Sequence, residues 1–445
     1  MFFVYFKAKY TMKKSIYCII LLSCTALTAI AQYTIPPKME WWYQARFGMF
    51  IHYGSYSTYE QGEWVQFLDS IPKPWYQDSI TKQFNVEQFN AQHIVSLAKQ
   101  AGMKYIVITA KHHEGFALWK TQAQSFRDYT GTYLFDIYHY TGIQRDILKE
   151  LQEECEKQQV EFGLYYSILD WNHSTQKAHN YFSIMHDLDL KELYVNDMKV
   201  QLKELITTYN PKILWFDGDW CADTTPVSNF NWWNKADAVD LCNYIHSLDS
   251  SIIINERIKR DCDIGDFMCP EEKIPATPLP RPWETCQTMN GAWGYKASAK
   301  SDYKLADTLI QELVAIVSRD GNYLLNISPQ GTGAISYDDI HILEQFGAWM
   351  NINGESIYGA NRSPFTQEPA WGYFTSKPQK LYAHIFYMPA NNTITIPVTD
   401  KKIVHVYDLV SQTPLTFAHT QAGTHISIPP ETHKKISSCI VIEWE

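Results

Sequence analysis

The 445-residue sequence predicts an α/β fold, a (β/α)8-type TIM barrel followed by a C-terminal antiparallel β-sandwich. Three observations carry that expectation. Apolar runs dense in β-branched residues alternate with stretches of helical period over about 310 residues, and so many βα units in series require a parallel sheet. No GxGxxG turn follows the first strand, which favours a closed barrel over an open doubly wound sheet. Beyond about Ser363 the helical periods vanish, and LYAHIFYM, TITIPV, IVHVYDL and SCIVIEW alternate polar with apolar residues between breaks at Asn391-Asn392, Gly423 and Pro429-Pro430.

The elements follow in order. Phe47 to His52 reads as a buried strand and Lys104 to Ala110 as a second. Between them Ile94, Leu97, Ala98 and Ala101 fall at i, i+3, i+4 and i+7 of a helix, with Gly102 placed to cap it in a left-handed turn. Further strands are expected at Glu161 to Ser167, Ile213 to Phe216, Ser251 to Asn255 and Tyr323 to Ile327. Helices are expected around Ile147 to Leu151, Leu190 to Ile206, Ala238 to Ile245, Leu305 to Val317 and Ile340 to Met350. The resulting division is a signal peptide over 1–31, a catalytic barrel over 32–362 and a sandwich domain over 363–445.

Export is read from the N-terminus. From Met12, a possible true start, Lys13 and Lys14 precede a short apolar run, and Ala29-Ile30-Ala31 supplies small residues for cleavage before Gln32. The run is too short and too rich in Ser and Thr to span a bilayer comfortably, so no integral membrane segment is expected once the signal is removed. The expected location is periplasmic or secreted. Lipoprotein processing at Cys24 is the minority reading, disfavoured by the bulky Leu22 and by the better Ala-Ile-Ala site. Of nine cysteines, Cys18 and Cys24 leave with the signal, and the other seven show no CxxC spacing, so neither a disulfide framework nor a zinc knuckle follows.

Composition narrows the function. Net charge is −10 with no basic cluster, which argues against nucleic acid as a partner. The 15 Trp, 29 Tyr and 21 Phe suit stacking on the apolar faces of sugar rings.

In a βα barrel the working groups stand at the C-terminal ends of the strands. Those positions hold His52 with Glu63-Trp64 beyond it, then His112-His113-Glu114, Tyr165-Tyr166, Trp215 with Asp217, and Asn255-Glu256-Arg257. Adjacent His112 and His113 would point to opposite faces if still in a strand, and no HxH or HExxH spacing exists, so neither a metal nor another cofactor is expected. Paired carboxylates in a pocket lined by His, Tyr and Trp suit glycosidic hydrolysis, in which one acid protonates the leaving oxygen and one carboxylate attacks or assists at the anomeric carbon. Asp217, at a strand end, is the leading nucleophile. The acid is sought among Glu271, Glu272 and Glu284, in the proline-rich loop CPEEKIPATPLPRPWETC.

These residues, in this order, resemble the α-L-fucosidases of glycoside hydrolase family 29. The resemblance rests on RFGMFIHYG from Arg46, GEW from Gly62, AKHHEGFALW from Ala110, GLYYS from Gly163, WFDG from Trp215, NER from Asn255, PWETC through GAWGY from Pro282, and GNYLLNISP from Gly321. It implies a retaining exo-α-L-fucosidase that works without metal by double displacement on terminal fucose of oligosaccharides or glycoconjugates, in a barrel followed by a β-sandwich. It implies Asp217 as nucleophile and Glu271, in a Gly-Asp-Phe-x-x-Pro-Glu stretch, as acid/base, with Glu284 the fallback. It assigns sugar contacts to His52, Glu63, Trp64, His112, His113, one or both of Tyr165 and Tyr166, Trp215 and Arg257. Tyr53, where Trp is usual, and Glu114, where many members have Asp, are conservative departures. Two rival readings stay open: a catalytically impaired relative that only binds fucose or another glycan, and a barrel glycosidase acting on another hexose. The presence of both Asp217 and Glu271 argues against the first.

Overall fold

A computed structural model describes residues 33–175, 188–221, 233–399 and 401–445. The proposed leader, with Met12 and Cys24, lies outside the described residues. Seven strands form a single curled parallel sheet: β1 (Phe47–Ile51), β2 (Tyr105–Lys111), β3 (Glu161–Ser167), β4 (Ile213–Asp217), β5 (Ile253–Ile254), β6 (Trp283–Gln287) and β7 (Gly321–Ile327). Their order across the sheet is β5-β4-β3-β2-β1-β7-β6. Nearly every residue of these strands is buried, as expected when one face looks into the curl and the other is covered by helices.

The alternation of side chains decides what the interior contains. Met49, Ile51, Ile106, Ile108, Leu164, Leu214 and Phe216 join the core beneath the helices, while their odd-numbered neighbours in β3 and β4, Tyr165, Trp215 and Asp217, turn inward. Gly48 makes one inward position possible. It pairs with Tyr105 across β1 and β2, and a Cβ there would lie 2.4 Å from the Tyr105 ring. The helix Ala91–Ala101 shows why the sequence pattern was readable. The Asn90 side chain accepts from the His93 N–H at its start, Gly102 at φ +92 ends it, and Ile94, Val95, Leu97, Ala98 and Ala101 form its buried stripe.

The expected regular eight-stranded barrel is met in part. Between the edge strands β5 and β6 runs an extended segment, residues 266–272, held on one side by Asp266 N–H donating to Ile254 O and Glu256 N–H donating to Phe267 O. On the other side Met268 N–H donates to Pro282 O, Glu284 N–H to Met268 O and Glu272 N–H to Cys286 O. These are isolated bridges and not a continuous ladder, and Pro270, which has no N–H, interrupts the segment. Strand β6 was hidden in the sequence inside the proline-rich loop, so Glu284 stands on a strand and not on a loop.

After the helix Tyr337–Asn353 the chain forms two antiparallel sheets. One contains β8 (Gly372–Lys377), β9 (Lys380–Ile385), β11 (Ile403–Asp408) and β14 (Ser438–Trp444); the other contains β10 (Thr393–Ile396), β12 (Phe417–Thr420) and β13 (Gly423–Ser427). Ile394, Ile396 and Ile426 of the smaller sheet share a core with Leu381, Ile385, Ile440 and Ile442 of the larger. The opposite face of β14 is buried too, through Cys439 and Val441, which is why Cys439 to Ile442 is continuously apolar where alternation was expected. Ile35–Glu445 forms one compact unit. Among the described residues no helix is long and apolar enough to cross a membrane.

Candidate active site

The C-terminal ends of the parallel strands open on a cavity of about 340 Å³. Asp217 closes β4 there, and Gly218 at φ +80 turns the chain sharply away from it. The Asp217 carboxylate has two differently held oxygens. Oδ1 accepts from Arg257 Nη1 at 3.2 Å and from Arg260 Nη2 at 3.2 Å. Oδ2 accepts from the Tyr165 hydroxyl at 3.3 Å and lies 3.7 Å from His113 Nε2. Burial alone would push this carboxyl up, but the charges of Arg257 and Arg260 outweigh it and hold the group below its ordinary value, so Asp217 is a carboxylate at neutral pH.

The second carboxylate is Glu271. Its Oε2 accepts from Arg257 Nη2 at 2.9 Å and its Oε1 from Trp293 Nε1 at 3.1 Å. One guanidinium therefore holds both carboxylates, Nη1 on Asp217 and Nη2 on Glu271, with the ring of Trp215 beneath it at 4.7 Å. The Glu271 side chain is 45% exposed whereas that of Asp217 is 10% exposed, so one carboxylate faces the mouth and the other the floor.

The histidines are neutral hydrogen-bonding groups. Burial lowers His52 to about 3 and His113 to about 4, and holds His112 well below the usual imidazole range. His52 Nδ1–H donates to Asn326 Oδ1 at 2.7 Å, while Asn326 Nδ2 donates to Trp293 O, which leaves His52 Nε2 as an acceptor. Ser167 Oγ gives its proton to Leu169 O and accepts from His113 Nδ1–H at 2.7 Å, so His113 Nε2 is likewise an acceptor. His112 and His113 do not diverge as expected of strand neighbours. β2 ends at Lys111 after a register shift, and both rings reach the same cavity with centroids 4.1 Å apart. Among the described residues no group of three or more His, Cys, Asp or Glu is arranged to hold a metal ion, and two guanidinium groups at the cavity floor repel a cation.

Of the residues selected from sequence, His52, Trp64, His112, His113 and Tyr165 line this cavity together with Trp215, Asp217, Arg257 and Glu271. Three do not. Tyr166 points the other way, its hydroxyl donating to Gln201 Oε1 at 2.7 Å under the helix Leu188–Tyr209. The reason is strand parity, since Tyr165 pairs with Trp215 and Ser167 with Asp217 on the inward face. Glu63 is buried behind the wall, where its Oε2 accepts from the Gly294 N–H at 2.7 Å and burial pushes its carboxyl up to about 7.

Glu284 lies below the cavity and not in it. Fully buried, it accepts from Trp42 Nε1 at 3.2 Å, from the Tyr105 hydroxyl, and from Trp215 Nε1 at 3.1 Å, and burial raises it to about 7. Glu284→Gln replaces one acceptor oxygen with a donor among three donors. The expected cost is about 1–3 kcal/mol of stability, read as a lowered urea midpoint. Sequence reading passed over Phe50, Trp220, Arg260, Cys286 and Trp293, which also line the cavity. Phe50, Cys286 and Trp293 sit in motifs already singled out and Trp220 lies two residues beyond WFDG, but Arg260 carries no local signal.

The model of the alpha-L-fucosidase family matches residues 28–355. The chain belongs to the alpha-L-fucosidase family. Among curated relatives, this fucosidase is 30% identical to human tissue alpha-L-fucosidase over 394 residues, covering 82% of this chain and 79% of that one. It is 30% identical to the rat plasma enzyme over 422 residues, covering 88% of each. Among solved structures, alpha-L-fucosidase isoenzyme 1 from Paenibacillus thiaminolyticus superposes with TM-score 0.78 at 30% identity, over 92% of this fucosidase and 99% of that chain. A Bacteroides thetaiotaomicron GH29 fucosidase, solved as a trapped covalent intermediate with 2-fluoro-fucosyl fluoride in a Glu-to-Gln variant, superposes with TM-score 0.81 at 25% identity, over 93% and 97%.

Proposed function

We propose that this fucosidase is an exported, retaining exo-α-L-fucosidase that removes terminal α-L-fucose from glycans or glycoconjugates by double displacement, with Asp217 as nucleophile and Glu271 as acid/base. The observation that carries the reading is the single Arg257 guanidinium bridging the two carboxylates, one at the floor and one at the mouth. The covalent intermediate of the Bacteroides relative supports the same chemistry. Asp217 bonds to the anomeric carbon as the glycosidic C–O bond breaks, and the departing oxygen takes the proton of Glu271. In the second displacement water attacks the anomeric carbon, Glu271 takes its proton, and the ester bond breaks to return Asp217 as a carboxylate facing Arg257. His52 and His113, held neutral, offer Nε2 lone pairs to sugar hydroxyls, and Trp64 offers an apolar face.

The finer architecture belongs to the same proposal. Segment 266–272 stands in for the eighth strand of a barrel over 32–362, the two antiparallel sheets over 363–445 act as a sandwich, and cleavage after Ala31 releases the leader. Export is supported by the composition of that leader and the barrel by the parallel bridges on both sides of the segment.

Retention is tested by proton NMR of the first sugar released from an aryl α-L-fucoside. The expected product is α-L-fucose, since two inversions restore the configuration and need carboxylates about 5–5.5 Å apart. β-L-Fucose as first product overturns the mechanism, and equal turnover of an aryl β-galactoside or α-glucoside overturns the substrate.

A further inference from the structure

Asp217 is contacted by a second cation that the bridging arrangement does not need. Arg260 reaches Asp217 Oδ1 with Nη2 at 3.2 Å. Its other arm, Nη1, donates to Asp219 Oδ1, and its backbone N–H donates to Asp219 Oδ2 at 2.8 Å. The guanidinium also lies 5.2 Å over the Trp220 ring. Asp219 is 2% exposed and sits two residues beyond the nucleophile on the same turn. Arg260 is thus clamped by Asp219 from below and by Trp220 on its face, and what the clamp presents is one N–H to one oxygen of the nucleophile.

We propose that Arg260 is a positioning residue for glycosylation: fixed by Asp219, it pins Asp217 Oδ1 and so presents Oδ2 to the anomeric carbon. The inference rests on Asp217 being the nucleophile. The geometry separates the two arginines. Arg257 divides its guanidinium between Asp217 and Glu271 and also donates to Cys269 O. In contrast, among the described residues the Arg260 guanidinium makes no bond to Glu271 and donates to Asp217 and Asp219. Rotation of a carboxylate about its Cβ–Cγ bond exchanges the attacking oxygen, and a second donor on the same oxygen opposes that rotation whatever Glu271 is doing. Oδ2, which faces the weaker 3.3 Å contact from Tyr165, is the oxygen left to form the ester bond as the leaving group departs with the proton of Glu271.

Arg260 also acts on the charge of Asp217. The titratable and charged groups around that carboxylate are His52 beyond β1, His113 beyond β2, Tyr165 of β3, Asp219 on its own turn, Arg257 and Arg260 beyond β5, and, through Arg257, Glu271 of segment 266–272 and Cys286 of β6. The two arginines are its largest stabilising charges. Removing one weakens the preference for the ionised form, so the acidic limb of kcat/KM moves to higher pH.

The test uses the full chain and 2-fluoro-fucosyl fluoride, following the rate at which Asp217 is labelled. Arg260→Met is expected to slow labelling roughly 10- to 100-fold, with the inhibition constant of free fucose changed less than about threefold, and to move the acidic limb upward. Arg260→Lys restores the charge without the fork, so it returns the limb toward wild type while labelling stays slow. Asp219→Asn, which frees the arm but keeps Arg260, is expected to slow labelling with a smaller change in the limb. Unchanged labelling and limb in Arg260→Met overturn the inference, and so does a loss confined to fucose affinity. If the wild-type protein itself is not labelled at Asp217, the nucleophile assignment falls instead. A variant that fails to fold is identified by thermal melting, and Arg260→Lys with Asp219→Asn then decides.

Discussion

Asp217→Gly is expected to lower turnover of an activated aryl α-L-fucoside by roughly 10³- to 10⁶-fold, the loss that accompanies removal of a covalent nucleophile. The reason is local. Asp217 is the only carboxylate at the cavity floor among the described lining residues, since Glu271 stands at the mouth. The substitution strands no buried charge completely, because Arg257 keeps Glu271 and Arg260 keeps Asp219. The fold should therefore survive, and a thermal melt beside the kinetics checks it. Azide, small enough to enter the space vacated by the carboxylate, is expected to restore part of the activity and to yield β-L-fucosyl azide. That product has inverted configuration because one displacement has replaced two. Near wild-type turnover without azide would sink the assignment.

Glu271→Gln is expected to separate substrates by leaving group. A fucosyl oligosaccharide must receive a proton on its departing oxygen, so its hydrolysis should slow by roughly two to four orders of magnitude. A dinitrophenyl fucoside or fucosyl fluoride leaves without one, and formation of the intermediate from it should be nearly spared. The contrast with Glu284 makes the experiment decisive. Glu284 carries the raised carboxyl that is often taken to mark a general acid, yet it is sealed beneath Trp215 by three donors and has no route to a leaving group. Its substitution should affect stability, with no dependence on leaving group. If Glu284→Gln shows the leaving-group pattern and Glu271→Gln does not, the two roles exchange.

Much of the site was legible before any coordinates because a parallel βα fold gathers the residues that follow its strands. His52, His112, His113, Asp217 and Arg257 each come at or within three residues of the end of an apolar run, and all line one cavity. Tyr166 was selected beside Tyr165 because a dipeptide motif carries no face, although the period-two alternation that buries Phe216 outward applies to β3 as well. Strand β6 was concealed because its five residues follow a run of prolines and hold only one long apolar side chain, Trp283.

Composition, periodicity and motif order by themselves determined the class of fold and the strand-end residues that gather at one cavity, because burial patterns and strand-end positions are local properties written along the chain. Which glutamate faces the cavity was decided only by tertiary structure. Glu271 and Glu284 are thirteen positions apart in one proline-rich stretch, and although the Gly-Asp-Phe-x-x-Pro-Glu resemblance favours Glu271, their surroundings differ only once residues 266–272 are laid between β5 and β6 with Glu271 at the rim and Glu284 in the layer below. The same holds for Arg260. Its partners Asp217 and Asp219 lie 43 and 41 residues away, so the clamp exists only once β4 and the turn after β5 are brought side by side by the curl of the sheet.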